Sequence, residues 1–171
     1  MIIRDATEAD LPAIVDIYNV AVASRQSTAD TEPVSVESRL PWLRNRDRAT
    51  RPLWVMDADG TVAGWLSVDS FHSRPAYNIT AEVSVYVATA YRRRGIARRL
   101  LHEAIRHGAS AGTRTFVALI FGHNEPSLAL FEGFGFQRWA HLPGVTELDG
   151  VERDVLILGL RIDGRGTSSA I

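Results

Sequence analysis

Apolar residues recur along this chain with two different periods, which predicts alternating helices and strands. A helical period, with apolar positions three and four residues apart, runs from Leu11 to Val22 and from Ile96 to Ile105. Runs of β-branched and apolar residues, typical of strands, cover residues 80–88 and 115–121. The second run is almost continuously apolar, so we expect that strand to be buried on both faces.

The full pattern predicts the order strand, two helices, three strands, helix, strand, helix and two strands. The predicted strands cover residues 2–4, 53–57, 62–71, 80–88, 115–121, 137–146 and 151–161. The predicted helices begin at or just after Thr7, Ser35, Gly95 and Asn124. Asp10 is the expected capping-box partner of Thr7, and a tight turn is expected at Asp59-Gly60. This order is typical of an α/β protein with a mixed sheet.

The composition fits one domain and argues against several kinds of site. The chain has 171 residues, 46% hydrophobic and 23% charged, which suits a single domain over residues 1–162. Residues 163–171 are rich in Gly, Ser and Thr, and we expect a flexible tail there. Cysteine is absent and the histidines are scattered, so neither a disulfide framework nor a metal site is expected. No apolar run approaches the ~20 residues of a membrane span, and no signal peptide is apparent, so the expected location is the cytoplasm.

The charge pattern narrows the chemistry further. The net charge is −1, which argues against a general nucleic-acid binder. All 19 basic residues are arginine, so no lysine is available for a Schiff base or for self-acetylation.

The segment that joins the strand at 80–88 to the next helix has the features of an anion site. Small residues at Gly95 and Ala97 allow close approach to the backbone, and five arginines lie between residues 92 and 99. The first N–H groups of a helix lack internal partners and lie at the positive end of its dipole. A phosphate or pyrophosphate is therefore the predicted ligand. A solvated basic helix start would give the same local pattern. Neither a kinase-type phosphate loop nor a three-glycine dinucleotide fingerprint is present.

Two motifs resemble the cofactor segments of the GNAT superfamily of acetyltransferases. Arg92-x-x-Gly95-x-Ala97 resembles its acyl-CoA signature, Q/R-x-x-G-x-G/A. The stretch from Asn124 to Phe136 resembles its second cofactor segment, Asn-x-x-Ser/Ala-x-x-Leu-Phe/Tyr with a closing Gly-Phe. The resemblance implies a mixed, mostly antiparallel twisted sheet, flanked by helices on both faces. It also implies a central parallel pair of strands that splay near Val85 and Ala118, with acetyl-CoA in the opening.

The resemblance also implies how acetyl-CoA is held. Main-chain groups of residues 85–87 would pair with its pantetheine arm, N–H groups of residues 93–98 would hold the pyrophosphate, and Asn124 would bond the arm from the other wall. The cofactor-binding residues so implied are Val85, Tyr86, Val87, Arg92, Arg93, Arg94, Gly95, Ile96, Ala97, Arg98, Asn124, Ser127 and Phe131. Asparagine is also a common helix cap, so a purely structural role for Asn124 stays open.

A tighter resemblance points to the phosphinothricin and methionine-sulfoximine acetyltransferases, which acetylate the α-amine of amino-acid-like compounds. It lies in Tyr18-Asn19, in residues 31–35 with Trp42, in Arg74-Pro75-Ala76-Tyr77 and in residues 82–87. The resemblance implies a small-molecule amine as acceptor and a homodimer with the active site near the subunit boundary. Arg74, Pro75, Ala76, Tyr77 and Glu82 are the candidate substrate-binding residues. Arg74 suits a carboxylate, although it could equally be an exposed loop arginine.

Glu82 is the candidate catalytic residue. The acceptor amine arrives mostly as ammonium and must lose a proton before it attacks the thioester. A carboxylate on an otherwise β-branched strand is costly to bury without a role, and Glu82 could relay this proton through water. A salt bridge to an arginine is the alternative. We expect an unpaired N–H near Val85 to stabilise the developing oxyanion.

Two departures from the family pattern leave alternatives open. Phe131 stands where many members have a tyrosine, so no general acid is assigned, and Tyr86, Tyr91 or water could substitute. Near the C-terminus, residues 151–154 lack the usual aromatic or histidine before Asp154. One alternative is a protein or peptide N-acetyltransferase, with Glu147, Asp149, Glu152 and Asp154 in an acidic groove. The other is a sensor that binds acyl-CoA without turnover.

Overall fold

The computed structural model describes residues 1–162, and the predicted flexible tail at 163–171 lies outside the described residues. The strands are β1 (Ile2–Asp5), β2 (Leu53–Ala58), β3 (Thr61–Ser70), β4 (Thr80–Val87), β5 (Thr115–Phe121), β6 (Gln137–Leu148) and β7 (Val151–Arg161). The helices are α1 (Leu11–Ser24), α2 (Val36–Arg44), α3 (Ile96–Ser110) and α4 (Glu125–Glu132). The predicted order of elements is confirmed. Boundaries differ by a residue or two, since β3 ends at Ser70 rather than at residue 71 and β6 extends to Leu148 rather than to residue 146.

The strands form one mixed sheet in the order β1-β2-β3-β4-β5-β7-β6. Among the strands of residues 1–162, only the β4–β5 pair is parallel, and all other neighbours are antiparallel. The β2–β3 turn lies at Asp59-Gly60, as predicted, with φ of 55° and 88° at the two residues. Positive φ at both central residues is the geometry that tight hairpins favour, and it explains the Asp-Gly sequence.

The parallel pair separates after a short contact. Its register covers only Thr80↔Thr115, Ala81↔Phe116 and Glu82↔Val117, although both strands continue for several more residues. The prediction that β5 is buried on both faces is wrong at Leu119, which is 48% exposed. This residue lies beyond the last paired position, where the divergence of β4 opens one face of β5.

Helices cover both faces of the sheet, as predicted. On one face, α1 and α2 pack through Leu11, Ile14 and Leu43 against Val55 and Trp65. On the other face, α3 and α4 bury the apolar residues Ile96, Leu100, Leu101, Leu128 and Phe131. Because side chains alternate along a strand, β4 contributes Val83 to the α3 side and Tyr86 to the α1 side. Among residues 1–162, no helix has the length and apolarity needed to cross a membrane.

The chain is fixed before α1 by an ion pair. The Asp10 carboxylate accepts hydrogen bonds from both terminal nitrogens of Arg4 at 2.8 Å and from the Thr7 amide at 2.8 Å. The reach of Asp10 back to Thr7 is the contact that the capping-box prediction requires. Hydrogen bonds from the Arg4 guanidinium are the main reason why the pKa of Asp10 falls to about 2.

Replacing Asp10 with Asn is expected to lower the free energy of unfolding by about 1–3 kcal/mol at neutral pH, because it removes charge-assisted hydrogen bonds at a buried side chain. Since the folded pKa is depressed, this contribution is present above the unfolded pKa of about 3.9 and is lost as the pH falls through about 2. Urea unfolding of both proteins at neutral and acidic pH measures it. Glu8→Gln, which alters the exposed Arg44 pair, is the control and should change stability little. An Asp10→Asn protein as stable as wild type at neutral pH would contradict the prediction.

Candidate active site

The opening between β4 and β5 forms a cavity of about 360 Å³. Its walls include Glu82 to Tyr86 on β4 and Ala118 to Phe121 on β5. Because the strands have no register positions beyond Glu82 and Val117, the main-chain groups on the facing edges of β4 and β5 lack a strand partner there. An extended ligand could pair with these edges as an added strand does.

The three β4 residues predicted to contact a cofactor differ in position. Val85 and Tyr86 line the opening, whereas Val87 packs against the core on the α3 side. The edge of β4 is therefore available to a ligand over residues 83–86, and Val87 lies at its outer end.

The turn before α3 has an unusual backbone. Arg93 and Gly95 both have positive φ, 59° and 75°. A positive φ is uncommon for arginine and often marks a functional turn, while glycine adopts it without penalty. A Cβ on Gly95 would meet no atom within 4 Å, so this residue faces open space. The turn therefore has room for a ligand beside Gly95, at the start of α3.

The arginines around this turn carry positive charge that no carboxylate of the described residues neutralises. Arg92, Arg93, Arg94 and Arg98 are exposed, and none pairs with an acidic side chain within residues 1–162. Arg94 lies over the Tyr91 ring and Arg98 over the Phe134 ring. Ile96 is 2% exposed, so its side chain belongs to the core and only its main chain could contact a ligand. The start of α3 can therefore hold a phosphate or diphosphate.

The wall opposite β4 is formed by α4. Asn124, Ser127 and Phe131 all line the cavity. Asn124 Oδ1 accepts from the Ser127 amide at 3.3 Å, so the asparagine does cap α4, while its Nδ2 donates to no atom of residues 1–162. The side chain can therefore cap the helix and still donate a hydrogen bond to a ligand.

Glu82 is a partly buried carboxylate at the floor of the opening, at the last paired position of the parallel strands. It makes no hydrogen bond or ion pair through its side chain within residues 1–162, so the predicted alternative of a salt bridge is not seen there. Burial raises the pKa of Glu82, and the negative charge of Asp69 raises it further. An unpaired carboxylate with a raised pKa has the properties of a general base.

Asp69 is the neighbour that sequence reasoning missed. It lies directly across from Glu82 in the β3–β4 pair. Its carboxylate forms an ion pair with Arg46 at 2.8 Å, and the Arg46 side chain is only 5% exposed. The Asp69 carboxylate is thus held by a buried arginine, whereas the Glu82 carboxylate has no ion pair with any described residue.

Neither remaining tyrosine has the properties of an obvious general acid. The Tyr86 hydroxyl donates to the Ser27 carbonyl, and burial raises its pKa far above the usual range. Tyr91 lies under Arg94 outside the lining of the opening. Phe131, where many family members have tyrosine, packs edge-on against Phe136. Tyr86 and Tyr91 are therefore both poor candidates for the acid.

The β3–β4 loop lies apart from the opening. Arg74, Pro75, Ala76 and Tyr77 are exposed, and none of them lines the cavity. Tyr77 packs against Phe71 and His72 within the loop itself. The predicted role of this loop in acceptor binding stays a prediction.

The loop between α1 and α2 forms a further wall of the opening. Ser27, Thr28 and Ala29 line the cavity, together with Tyr18 from α1. The Tyr18 hydroxyl lies 2.5 Å from Thr28 Oγ1 and 2.7 Å from Asp30 Oδ2. No local pattern in the sequence of this loop shows which strand it covers. A long connection beside a cleft is nevertheless a common functional element.

The acidic residues of the β6–β7 hairpin are partly engaged. Asp149 pairs with Arg25 at 2.9 Å, and Asp154 pairs with His141 at 2.6 Å. Of the four acidic residues predicted to form a groove for a basic peptide, only Glu147 and Glu152 have no ion pair within residues 1–162. These two face each other in the β6–β7 register. In the part of the chain that the structure describes, no three His, Cys, Asp or Glu side chains are grouped as metal ligands would be.

Comparison with known proteins agrees with this geometry. The model of the acetyltransferase (GNAT) family matches residues 14–136. YwnH of Bacillus subtilis, provisionally named a phosphinothricin acetyltransferase, is 49% identical over 93% of this chain and 98% of its own. The L-methionine sulfoximine/L-methionine sulfone acetyltransferase of Salmonella typhimurium is 32% identical over 99% of both chains.

A similar solved structure, described with acetyl-CoA, identifies the co-substrate. The structure of yncA from Salmonella typhimurium, described with its cofactor acetyl-CoA, superposes with a TM-score of 0.91 at 32% identity. The match covers 100% of this chain and 99% of that one. The opening between β4 and β5, its unpaired strand edges and the accessible start of α3 fit a long, phosphorylated thioester. The chain therefore belongs to the GNAT family of acetyltransferases, as an acyltransferase whose co-substrate is acetyl-CoA.

Proposed function

We propose that this protein transfers an acetyl group from acetyl-CoA to the α-amine of a small amino-acid-like acceptor. The observation that carries the proposal is the partly buried carboxylate of Glu82 at the floor of the opening, which has no ion pair with any other described residue. Relatives named for methionine sulfoximine, methionine sulfone and phosphinothricin support this class of acceptor. We keep the cytoplasm as the predicted location.

The acceptor nitrogen must lose two protons on the way from ammonium to amide. Acetyl-CoA supplies an acetyl group that is activated as a thioester. The acceptor ammonium loses a proton to Glu82, directly or through a water, and its nitrogen then forms a bond to the acyl carbon. The carbon–sulfur bond breaks and coenzyme A leaves readily as thiolate, since a thiol has a pKa of about 8.5. The acylated nitrogen then gives up its second proton, which the thiolate takes up directly or through solvent. This explains why the reaction can proceed although residue 131 is phenylalanine.

The residues that we expect to hold acetyl-CoA are those around the opening. The free edge of β4 at Val85 and Tyr86 suits the amide-bearing arm, and Asn124 can donate to it from α4. The N–H groups that follow Gly95, together with the unpaired arginines, suit the diphosphate. A main-chain N–H of β4 left without a partner beyond Glu82 suits the developing oxyanion.

Thiol release from acetyl-CoA tests the proposal. Purified protein is expected to release coenzyme A with methionine sulfone, methionine sulfoximine or phosphinothricin as acceptor. Acetylation of peptides without acetylation of free amino acids would favour a protein N-acetyltransferase. Acetyl-CoA binding with no release on any amine would favour the sensor and would overturn the proposal.

Replacing Arg74 with Ala is expected to raise the KM of carboxylate-bearing acceptors about tenfold and that of the matching amino amides much less, because a guanidinium is the preferred carboxylate partner. Initial-rate assays with both acceptor types measure this difference. Arg48→Ala, at an exposed arginine of another loop, is the matched control. Equal changes for acids and amides would make Arg74 a structural loop residue.

Arg74 is exposed and lies outside the cavity lining, so its role depends on a second copy of the chain. We propose the homodimer that the family resemblance implies, with this loop approaching the partner's opening. Light scattering at micromolar concentration measures the assembly state, and a monomer would remove this role for Arg74.

A further inference from the structure

Two carboxylates lie side by side on the face of the sheet that α1 and α2 cover. Strands β3 and β4 contribute Trp65 and Tyr86 to the core on that side. Asp69 lies four residues further along β3 and Glu82 four residues earlier along β4, so both point to the same face. They are direct register partners, and the Cβ atoms of such a pair are about 4.5–5.5 Å apart. Like charges at this spacing destabilise a sheet, so the pair requires an explanation.

Arg46 fixes the position of the Asp69 carboxylate. Its Nη1 donates to Asp69 Oδ1 at 2.8 Å. Its Nε donates to the Arg51 carbonyl at 3.0 Å, and its Nη2 donates to the carbonyls of Pro52 and Val68. The Arg46 side chain is 5% exposed, against 39% for that of Asp69. Because all three guanidinium nitrogens have partners and the group is buried, Arg46 holds the charge of Asp69 in one place.

Arg46 does not lie between the two carboxylates. Its carbonyl partners at residues 51 and 52 directly precede β2, so its guanidinium lies on the β2 side of β3. Because β3 lies between β2 and β4 in the sheet, Glu82 is on the other side of Asp69. The negative charge of Asp69 is therefore nearer to Glu82 than the positive charge of Arg46, which compensates it only in part.

The remaining titratable and charged groups around this face are neutral, offset or exposed. Among residues 1–162 these groups are Tyr18, Asp30, Arg39, Asp47, Arg51, His72, Arg74 and Tyr86. Burial raises the pKa of both tyrosines, so both stay uncharged near neutral pH. Arg39 pairs with Asp30 at 3.2 Å, and the charge of Arg51 is opposed by that of Asp47. The two groups of the β3–β4 loop are exposed to solvent, and β5 has no titratable side chain.

We propose that Asp69, fixed in place by Arg46, is a positioning residue that sets the pH range over which Glu82 accepts the proton of the acceptor. This inference rests on the proposed function and adds a second carboxylate to the same site. Asp69 acts through Glu82, because a neighbouring negative charge disfavours the Glu82 anion and makes it a stronger base. The direction of the Glu82 pKa agrees, since burial raises it and the charge of Asp69 raises it further. The proton passes from the ammonium to Glu82 as in the proposed reaction, and no bond forms or breaks at Asp69.

Asp69→Asn tests the proposal, because it removes the charge and keeps the shape of the side chain. Glu82 should then ionise at lower pH and be a weaker base. With methionine sulfone as acceptor, kcat/KM should therefore rise about twofold or more on the acidic limb of the pH profile and fall about twofold or more on its plateau. The two profiles should cross, whereas a structural defect would lower the rate at every pH. Asp69→Glu, which keeps the charge, should retain the wild-type profile.

Asp59→Asn is the matched control. It makes the same substitution in the exposed turn at the other end of β3, where asparagine tolerates the φ of 55°. Its pH profile should superpose on that of the wild type. If Asp69→Asn does not fold because Arg46 loses its counter-charge, the double variant Arg46→Gln/Asp69→Asn removes both charges. Its profile should shift in the same direction, since Asp69 is the nearer charge.

Carboxyl NMR separates this inference from the proposed function, because it needs no turnover. In protein labelled with ¹³C-glutamate, the Glu82 side-chain resonance is the one that Glu82→Gln lacks. This resonance should titrate at lower pH in Asp69→Asn than in the wild type or in Asp59→Asn. An unchanged titration, or profiles that do not cross, would overturn the role of Asp69 while thiol release keeps the proposed function standing. No thiol release with any amine would overturn the function, and a shifted titration would still support the action of Asp69 on Glu82.

Discussion

Replacing Glu82 with Gln should lower kcat/KM for amine acceptors about 10²–10⁴-fold at neutral pH, the usual contribution of a general base. Glutamine keeps the size of the side chain but cannot take up the proton of the ammonium. Glu82 has no ion pair within residues 1–162 to lose, so the substitution should cost little stability. Circular dichroism and acetyl-CoA binding should therefore match the wild type, and only the chemical step should suffer.

The pH dependence distinguishes a base from a structural carboxylate. Burial and the charge of Asp69 raise the pKa of Glu82, and a base acts only when it is deprotonated. Wild-type activity should therefore be lost as the pH falls through this raised value, and the variant should lack that step. The deficit of the variant should shrink at high pH, above the pKa of the acceptor's α-amine, where the amine is already neutral. Rates from about pH 5 to pH 10 measure this, with Glu103→Gln on α3 as the control. A deficit that is the same at every pH would remove the proton-transfer role.

Replacing Gly95 with Val is expected to weaken acetyl-CoA binding about tenfold or more. Gly95 has a φ of 75°, which a β-branched residue adopts only with strain, so the turn should shift away from the geometry that presents the N–H groups of α3. The same strain should lower the free energy of unfolding by about 1–2 kcal/mol. Calorimetric titration with acetyl-CoA measures the first effect, and thermal unfolding measures the second.

Gly112→Val is the matched control for this substitution. Gly112 has a φ of 79°, and a Cβ there also meets no atom within 4 Å, but it lies in the turn at the other end of α3. Both variants should lose similar stability, whereas only Gly95→Val should lose affinity for acetyl-CoA. Equal affinities in the two variants would show that the start of α3 does not hold the diphosphate.

Local patterns were enough to predict the elements and the main motif. The period of apolar residues gave the helices and strands in order, since each helix and strand must bury one face. The segment around Gly95 was informative because its helix start, its glycine and its arginines are contiguous in sequence. The helix cap at Asn124 could also be predicted from the local sequence, and in the structure this side chain caps α4 and lines the opening.

Contacts between segments that are far apart in the sequence could not be predicted from such local patterns. Nothing near Glu82 indicates that Asp69 lies opposite it, since β3–β4 register is set by the whole hairpin. Ser67 and Arg39, which line one pocket, come together only when α2 packs on the sheet. The exposure of Leu119 likewise depends on where the parallel strands separate, which a uniformly apolar run does not reveal.

The three paired positions between β4 and β5 also bear on how the protein unfolds. Most strand pairing lies within β1–β4 and within β5–β7, so the sheet is held together least well between these two groups of strands. Acetyl-CoA bound between the two groups of strands would contact both of them and would therefore hold them together. At a free concentration 100 times its dissociation constant, it would stabilise the native state by about 2.7 kcal/mol. The lifetime of the enzyme in a cell would then rise and fall with the supply of its own co-substrate.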